Sequence, residues 1–330
     1  MIRRLFAAAV ITLLPSACLF AGSTDLTVAQ DGSGQYKTVQ SAIDAAPANS
    51  KDRIVITIKP GTYKERLIVP KDKPMLTFKG GGSDPKETVL TFDLNANSKG
   101  PDGKNVGTSG SPSTLISATD FTAENVTFEN AAGDVGQAVA IKFNSDRGIF
   151  RNCRLIGWQD TLYIHDRRVY FKDCYIEGRV DFIFGKSTAV FDHCTIHSKN
   201  GGYVTAAATP QENPFGYVFL DCKLTGEGAK ALLGRAWRPY AAVAFIRCEL
   251  GSHIKPEGWQ HWNDTTDNGE SARFSEYKST GPGANPTARV DWSHQLSDDE
   301  VKNYTIESIL GGEDHWNPTE STQIARPAGT

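Results

Sequence analysis

The chain has no concentrated positive face, no long apolar run and no closely spaced set of metal-ligating side chains, and each absence narrows what it can be. Its 35 basic and 38 acidic residues leave a formal net charge of −3, and the basic residues are scattered. Nucleic acid is therefore not expected as a partner, because phosphate binding needs clustered cations. An anionic substrate met by single Arg or Lys side chains remains compatible with this balance. The six cysteines lack the close pairs of a zinc site, and no carboxylate cage for Ca²⁺ is evident. Neither a metal nor a cofactor is expected. No segment is polar enough to read as a long disordered stretch, and 39% apolar, 10% aromatic and 22% charged residues describe a globular chain.

The one marked apolar run, Leu5 to Leu14, is half the roughly 20 residues that a bilayer-spanning helix takes. Arg3 and Arg4 precede it and the small residues Ala17 and Ala21 follow, which is the pattern of an export signal. The expectation is a signal peptide over 1–22 and a secreted, monomeric product over 23–330 without a membrane span. Cys18 offers a lipid-anchored alternative, in which Pro15 would sit poorly.

A repeat sets the architecture. Five segments share an aromatic residue, two further residues, Cys, one residue, then Leu or Ile: Phe150 to Leu155, Phe171 to Ile176, Phe191 to Ile196, Phe219 to Leu224 and Phe245 to Leu250. Successive cysteines lie 21, 20, 28 and 26 residues apart, and Phe128-Glu-Asn-Ala131 reads as a sixth copy upstream. The period-two alternation in each copy predicts a strand with one buried face. Repeats this short leave little room for a crossover helix. The fold class expected is therefore all-β, a single right-handed parallel β-helix with one rung per repeat and short capping helices. The cysteines read as a ladder of small buried side chains. Stacked rungs bring equivalent Cα atoms about 4.8 Å apart, within disulfide range, so Cys153 and Cys174 are the pair expected to oxidise in an exported protein. Ser41 to Ala46 reads as a short helix over the open end of the coil. Ser297 to Glu300 reads as a capping box for a helix running to about Leu310.

Repeat arithmetic also finds a candidate site. Asp160 follows Cys153 by seven residues and Asp181 follows Cys174 by seven, so the two occupy one place on consecutive rungs. Carboxylates about 4.8 Å apart repel, which predicts one raised pKa and one low one. Such a split suits a nucleophile with an acid/base partner, titrating as a pair. Gln137 on the preceding rung and Gln159 beside Asp160 offer amide donors for an oxyanion. Leu233-Gly-Arg235-Ala-Trp237 adds a cation able to hold Asp181 ionised and a flat face for a sugar ring. Taken singly, the aspartates read as turn residues and Arg235 as a surface ion pair; together they favour a site.

Six blocks carry a family resemblance. Asp31-Gly-Ser-Gly with Tyr36-Lys-Thr-Val, Gly61-Thr-Tyr-Lys-Glu65, Gly136-Gln-Ala-Val-Ala, Gly157-Trp-Gln-Asp160-Thr-Leu-Tyr163, Gly178-Arg-Val-Asp181-Phe-Ile-Phe184-Gly185 and Leu233-Gly-Arg-Ala-Trp-Arg-Pro-Tyr240 are similar, in order, to the signature blocks of pectin methylesterases. The resemblance runs from about residue 25 to 262. It implies a parallel β-helix acting on pectin, with Asp181 as nucleophile, Asp160 as proton donor and later base, Gln137 and Gln159 at the oxyanion, and Arg235 orienting Asp181. It also implies that Trp237, Thr108, Tyr163, Phe184 and Trp259 line the sugar groove. Ala236 stands where plant members commonly carry Pro, and the long N-terminal inhibitory region of plant members is not seen, so the resemblance leans to shorter microbial members. Two other classes compete: a β-helix glycoside hydrolase or lyase on the same polymer, and a non-catalytic carbohydrate-binding β-helix.

Overall fold

The computed structural model describes residues 25–263 and 268–320; the expected signal peptide and Cys18 lie outside them. Within those residues the strands form an eleven-stranded sheet and two eight-stranded sheets, with parallel pairing throughout the named strands. The chain visits the three sheets in turn, as in Ile141–Asn144, Gly148–Arg151 and Arg154–Ile156, and then begins the next rung with Leu162–Asp166. This is a right-handed parallel β-helix, the hand that parallel crossovers take. No helix of the described residues is long and apolar enough to cross a membrane.

The repeat is the wall of the coil, but each copy is two strands and not one. The residue before each of the five wall cysteines has left-handed backbone: Asn152 (φ 48°), Asp173 (53°), His193 (53°), Asp221 (51°) and Arg247 (53°). Each turns the chain from the eleven-stranded sheet into its neighbour, which lets the aromatic, the Cys and the Leu or Ile all face inward. Short polar side chains dominate these corners because they tolerate the left-handed region best. The aromatics stack in register: Phe150 on Phe171 at 4.9 Å, Phe171 on Phe191 at 4.8 Å, Phe191 on Phe219 at 4.4 Å and Phe219 on Phe245 at 4.3 Å. Such pairs contribute about 0.5–1.5 kcal/mol each beyond the area they bury.

Three expectations are corrected. The sixth copy is not Phe128 to Ala131: Phe150 pairs with Ala123 and Leu155 with Phe128, so Ala123 to Phe128 is the true copy, turning at Asn125 (φ 58°) with Val126 in the cysteine place. Cys153 and Cys174 are free, as are the other three buried cysteines of the wall. In-register parallel strands point equivalent Cβ atoms the same way, whereas a disulfide needs them to converge to about 3.8 Å. The Cys174 thiol donates instead to the Phe150 carbonyl at 3.4 Å. At the C-terminal end, the capping box forms, with the Ser297 amide donating to Glu300 at 2.7 Å. The helix it starts, however, is a 3₁₀ turn over Glu300–Asn303, and a separate helix, Ile306–Leu310, begins at its own cap, Thr305.

The ends and flank of the coil are covered. Helix Val39–Ala45 buries Val39, Ala42 and Ile43 over the first rungs. The C-terminal segment seats Ile309 and Leu310 on the outer face of the eleven-stranded sheet, against Ile149, Tyr170 and Val190. Arg168 pins that segment by donating to the Leu310 and Gly311 carbonyls, both at 3.1 Å, and by pairing with Asp314.

Candidate active site

On one eight-stranded sheet the outward residues of successive rungs fall into a row: Lys142, Tyr163, Phe184, Ala206 and Arg235 are in-register neighbours. Above the Tyr163 to Arg235 part of this row lies a cavity of about 440 Å³. Asp160 and Asp181 enter it from the corners just before strands Leu162–Asp166 and Ile183–Gly185. Leu162 pairs with Ile183, so the two aspartates occupy equivalent places. Both have left-handed backbone, φ 66° and 51°. Turn residue and site residue are thus one and the same: the corner that reverses the chain also aims its short side chain outward.

The aspartates are 6% and 5% exposed, yet their surroundings differ. Arg235 donates twice to Asp181, from Nε at 2.9 Å and from an Nη at 2.6 Å. The guanidinium lies between the rings of Tyr203 and Trp262, each 4.1 Å from its centre, and donates to the Trp262 carbonyl at 3.3 Å. The Asp160 carboxyl has no hydrogen-bond partner among the described residues. Burial, with the Asp181 charge adding to it and Arg235 opposing, pushes its pKa up to about 8. Burial also raises Asp181, which the Arg235 hydrogen bonds and charge pull back. The expectation of one high and one low value is therefore modified: both rise, because both are buried. Only Asp181 has a bonded cation, so Asp181 ionises first and Asp160 keeps its proton at neutral pH.

Nine of the ten residues expected at the site line the cavity: Asp160, Asp181, Gln137, Gln159, Arg235, Thr108, Tyr163, Phe184 and Trp237. Gln137 and Gln159 are bridged neighbours on consecutive rungs, and their side-chain amides are unengaged among the described residues. Tyr163 stacks on Phe184 at 4.2 Å, and Phe184 leans on Trp237 at 5.9 Å, making an aromatic floor. Gly185 lets the floor lie close. At φ 121° it is in backbone that other residues rarely adopt, and a Cβ there would stand 2.0 Å from the Ile164 carbonyl oxygen.

Trp259 is the exception. It is 1% exposed and stacked on Phe274 at 4.5 Å inside the coil. Arg235 pairs with Gln260 and Gly234 with Trp259, so period-two alternation sends Trp259 inward while Arg235 faces the groove. Trp262 takes the groove position. Sequence reading missed Trp262, Ser109 and Ala206 in the cavity and Tyr203 beneath Arg235. Counting residues outward and inward from Arg235 could have exchanged Trp259 for Trp262. Uneven rung lengths hid Ala206 and Tyr203.

A stacked carboxylate pair, one member clamped by a guanidinium and the other without a bonded cation, lines a cavity walled by aromatic rings on a parallel β-helix, and comparison with known proteins places such a chain in the carboxylic ester hydrolase class. The family model described as Pectinesterase matches residues 25–313. Pectinesterase 31 of Arabidopsis thaliana is 44% identical over 87% of this chain and 92% of its own length. Pectin methylesterase from carrot superposes with a TM-score of 0.81 at 34% identity, covering 88% of this chain and 93% of that one. A pectin methylesterase solved in complex with a hexasaccharide gives a TM-score of 0.77 at 31% identity, over 89% and 98%. The chain belongs to the pectinesterase family. Its plant relatives give no support to the leaning toward a shorter microbial type.

Proposed function

We propose that this protein hydrolyses the methyl esters of galacturonan in pectin, with Asp181 as nucleophile and Asp160 as general acid and then base. The observation that carries the assignment is the asymmetry of the pair: Asp181 is clamped by Arg235 at 2.9 and 2.6 Å, and Asp160 is raised to about 8 by burial beside it. A Asp181 carboxylate oxygen attacks the C6 ester carbonyl, and the unengaged amides of Gln137 and Gln159 are suited to receive the oxyanion. The bond from C6 to the methoxy oxygen breaks as the Asp160 proton passes to that oxygen, and methanol departs. The acyl group is left on Asp181 as a mixed anhydride. Water then attacks it while ionised Asp160 takes the water proton, which restores both aspartates and frees the galacturonate carboxyl. The methanol proton comes from Asp160, and water returns a proton to Asp160.

The aromatic floor and Trp237 are read as the surface for the sugar rings, and a relative solved in complex with a hexasaccharide supports an oligosaccharide as the ligand. The expected signal peptide would deliver the enzyme as an exported monomer to extracellular polymer. One assay separates the classes: methanol, new reducing ends and unsaturated product, followed together on highly methylated pectin. The proposal expects methanol alone. Reducing ends would indicate a glycoside hydrolase, unsaturated ends a lyase, and no product a binding module.

A further inference from the structure

Lys142 continues the groove row beyond its aromatic floor, and nothing in the proposed chemistry uses it. Its register neighbours are Leu115 on one side and Tyr163 on the other. Its ammonium lies 4.8 Å from the centre of the Tyr163 ring, whose opposite neighbour is Phe184. It makes no ion pair or hydrogen bond among the described residues. The nearby charged and titratable groups do not compensate it. Lys186 is another cation, held 4.0 Å from Asp166. His165 is bonded to the Tyr163 hydroxyl at 2.8 Å, and its pKa is lowered by burial and by Lys142 and Lys186. A half-buried ammonium without an anion is unusual, since desolvation of a charge is normally offset by a partner. Burial alone lowers the Lys142 pKa.

Its place in the row matters. Asp160 and Asp181 lie on the rungs of Tyr163 and Phe184, and Lys142 stands two strands from Phe184, roughly 10 Å away at about 4.8 Å per strand. A polymer lying along the row with one ester at Asp181 would set another unit of the same chain over Tyr163 and Lys142. Resting on the reading of the groove as a galacturonan site, we propose that Lys142 is a specificity-determining residue that binds the free carboxylate of an already de-esterified unit in the same polymer chain. A methyl ester cannot provide the charge-assisted hydrogen bond that a carboxylate can. The enzyme would therefore favour esters near free carboxylates, and its own product would compete for the groove.

The test compares wild type, Lys142→Met, which keeps a stem to pack on Tyr163 but loses the charge, and Lys142→Arg, which keeps the charge. Two quantities are read: kcat/KM on partly de-esterified oligogalacturonate relative to fully methylated oligomer, and the calorimetric affinity for unesterified oligogalacturonate. Both the ratio and the affinity should fall about tenfold in Lys142→Met and recover in Lys142→Arg, the scale of one charge-assisted hydrogen bond. Unchanged values in Lys142→Met, or an equal loss on both substrates, would overturn the proposal and leave Lys142 a packing residue. Should Lys142→Met fold poorly, Lys142→Gln gives the same comparison. The calorimetric arm needs no turnover, so it reads Lys142 even if wild type releases no methanol and the esterase reading itself fails.

Discussion

Asp160 and Asp181 are alike in sequence context and nearly alike in exposure, so what separates them is one guanidinium. The proposed chemistry needs Asp181 ionised and Asp160 protonated, and the pH profile should follow. Activity should fall as pH rises through about 8, where Asp160 loses its proton. The acid limb should lie above that of an unperturbed aspartate, because burial raises Asp181 more than Arg235 lowers it. Arg235→Ala removes the groups that pull Asp181 down, so it should lower kcat/KM and move the acid limb to higher pH, read from initial rates of methanol release. Asp160→Asn should lose about 10²- to 10⁴-fold in kcat, the usual worth of general acid–base help. The same variant has a stability signature. A carboxyl raised on folding favours the folded state at low pH. That stabilisation is lost as pH rises from the unfolded value near 4 to about 8. Thermal midpoints of Asp160→Asn should therefore decline less than those of wild type across this window.

At the scale of the element, the decisive feature is the left-handed corner. The in-phase cysteines made the wall legible, because each Phe–Cys–Leu set marks one turn of the coil. They also made Asp160 and Asp181 countable as equivalents. The corner itself was not legible: Phe150 to Leu155 alternates well enough to pass for a single strand, and Asn152, though it tolerates left-handed backbone, does not by itself require φ 48°. The copy at Ala123 to Phe128 was misread for a related reason, since Ala123 and Val126 lack the marker side chains while Phe128 mimics one. Trp259 was misassigned because strand alternation had to be counted from Arg235 across a loop. The corners give a direct prediction. Asp173, exposed and at φ 53°, should accept Gly with little loss. Asp173→Val should cost about 1–2 kcal/mol, the penalty for forcing a bulky residue into left-handed backbone, measured as a shift in urea midpoint. Trp237→Ala should raise KM for the polymer more than it lowers kcat, because a stacking surface acts on the sugar ring and not on the ester carbonyl.

Across the whole molecule, stacking turns short repeats into an extended row, and the site is a short stretch of that row where two corners carry carboxylates. Around the pair stand Gln137 from the preceding rung, Gln159 beside Asp160, and Arg235 with Tyr203 and Trp262 from later rungs. Arg235 is 54 residues from Asp181 in sequence, and only the coil brings its guanidinium within 2.6 Å of that carboxylate. Fold and chemistry therefore meet at Asp181, and its replacement is the sharpest test. Asp181→Asn is nearly isosteric and lacks a nucleophilic carboxylate. With folding verified by circular dichroism, the account predicts that it releases no methanol from highly methylated pectin above background. Release at near wild-type rate by that folded variant would contradict it.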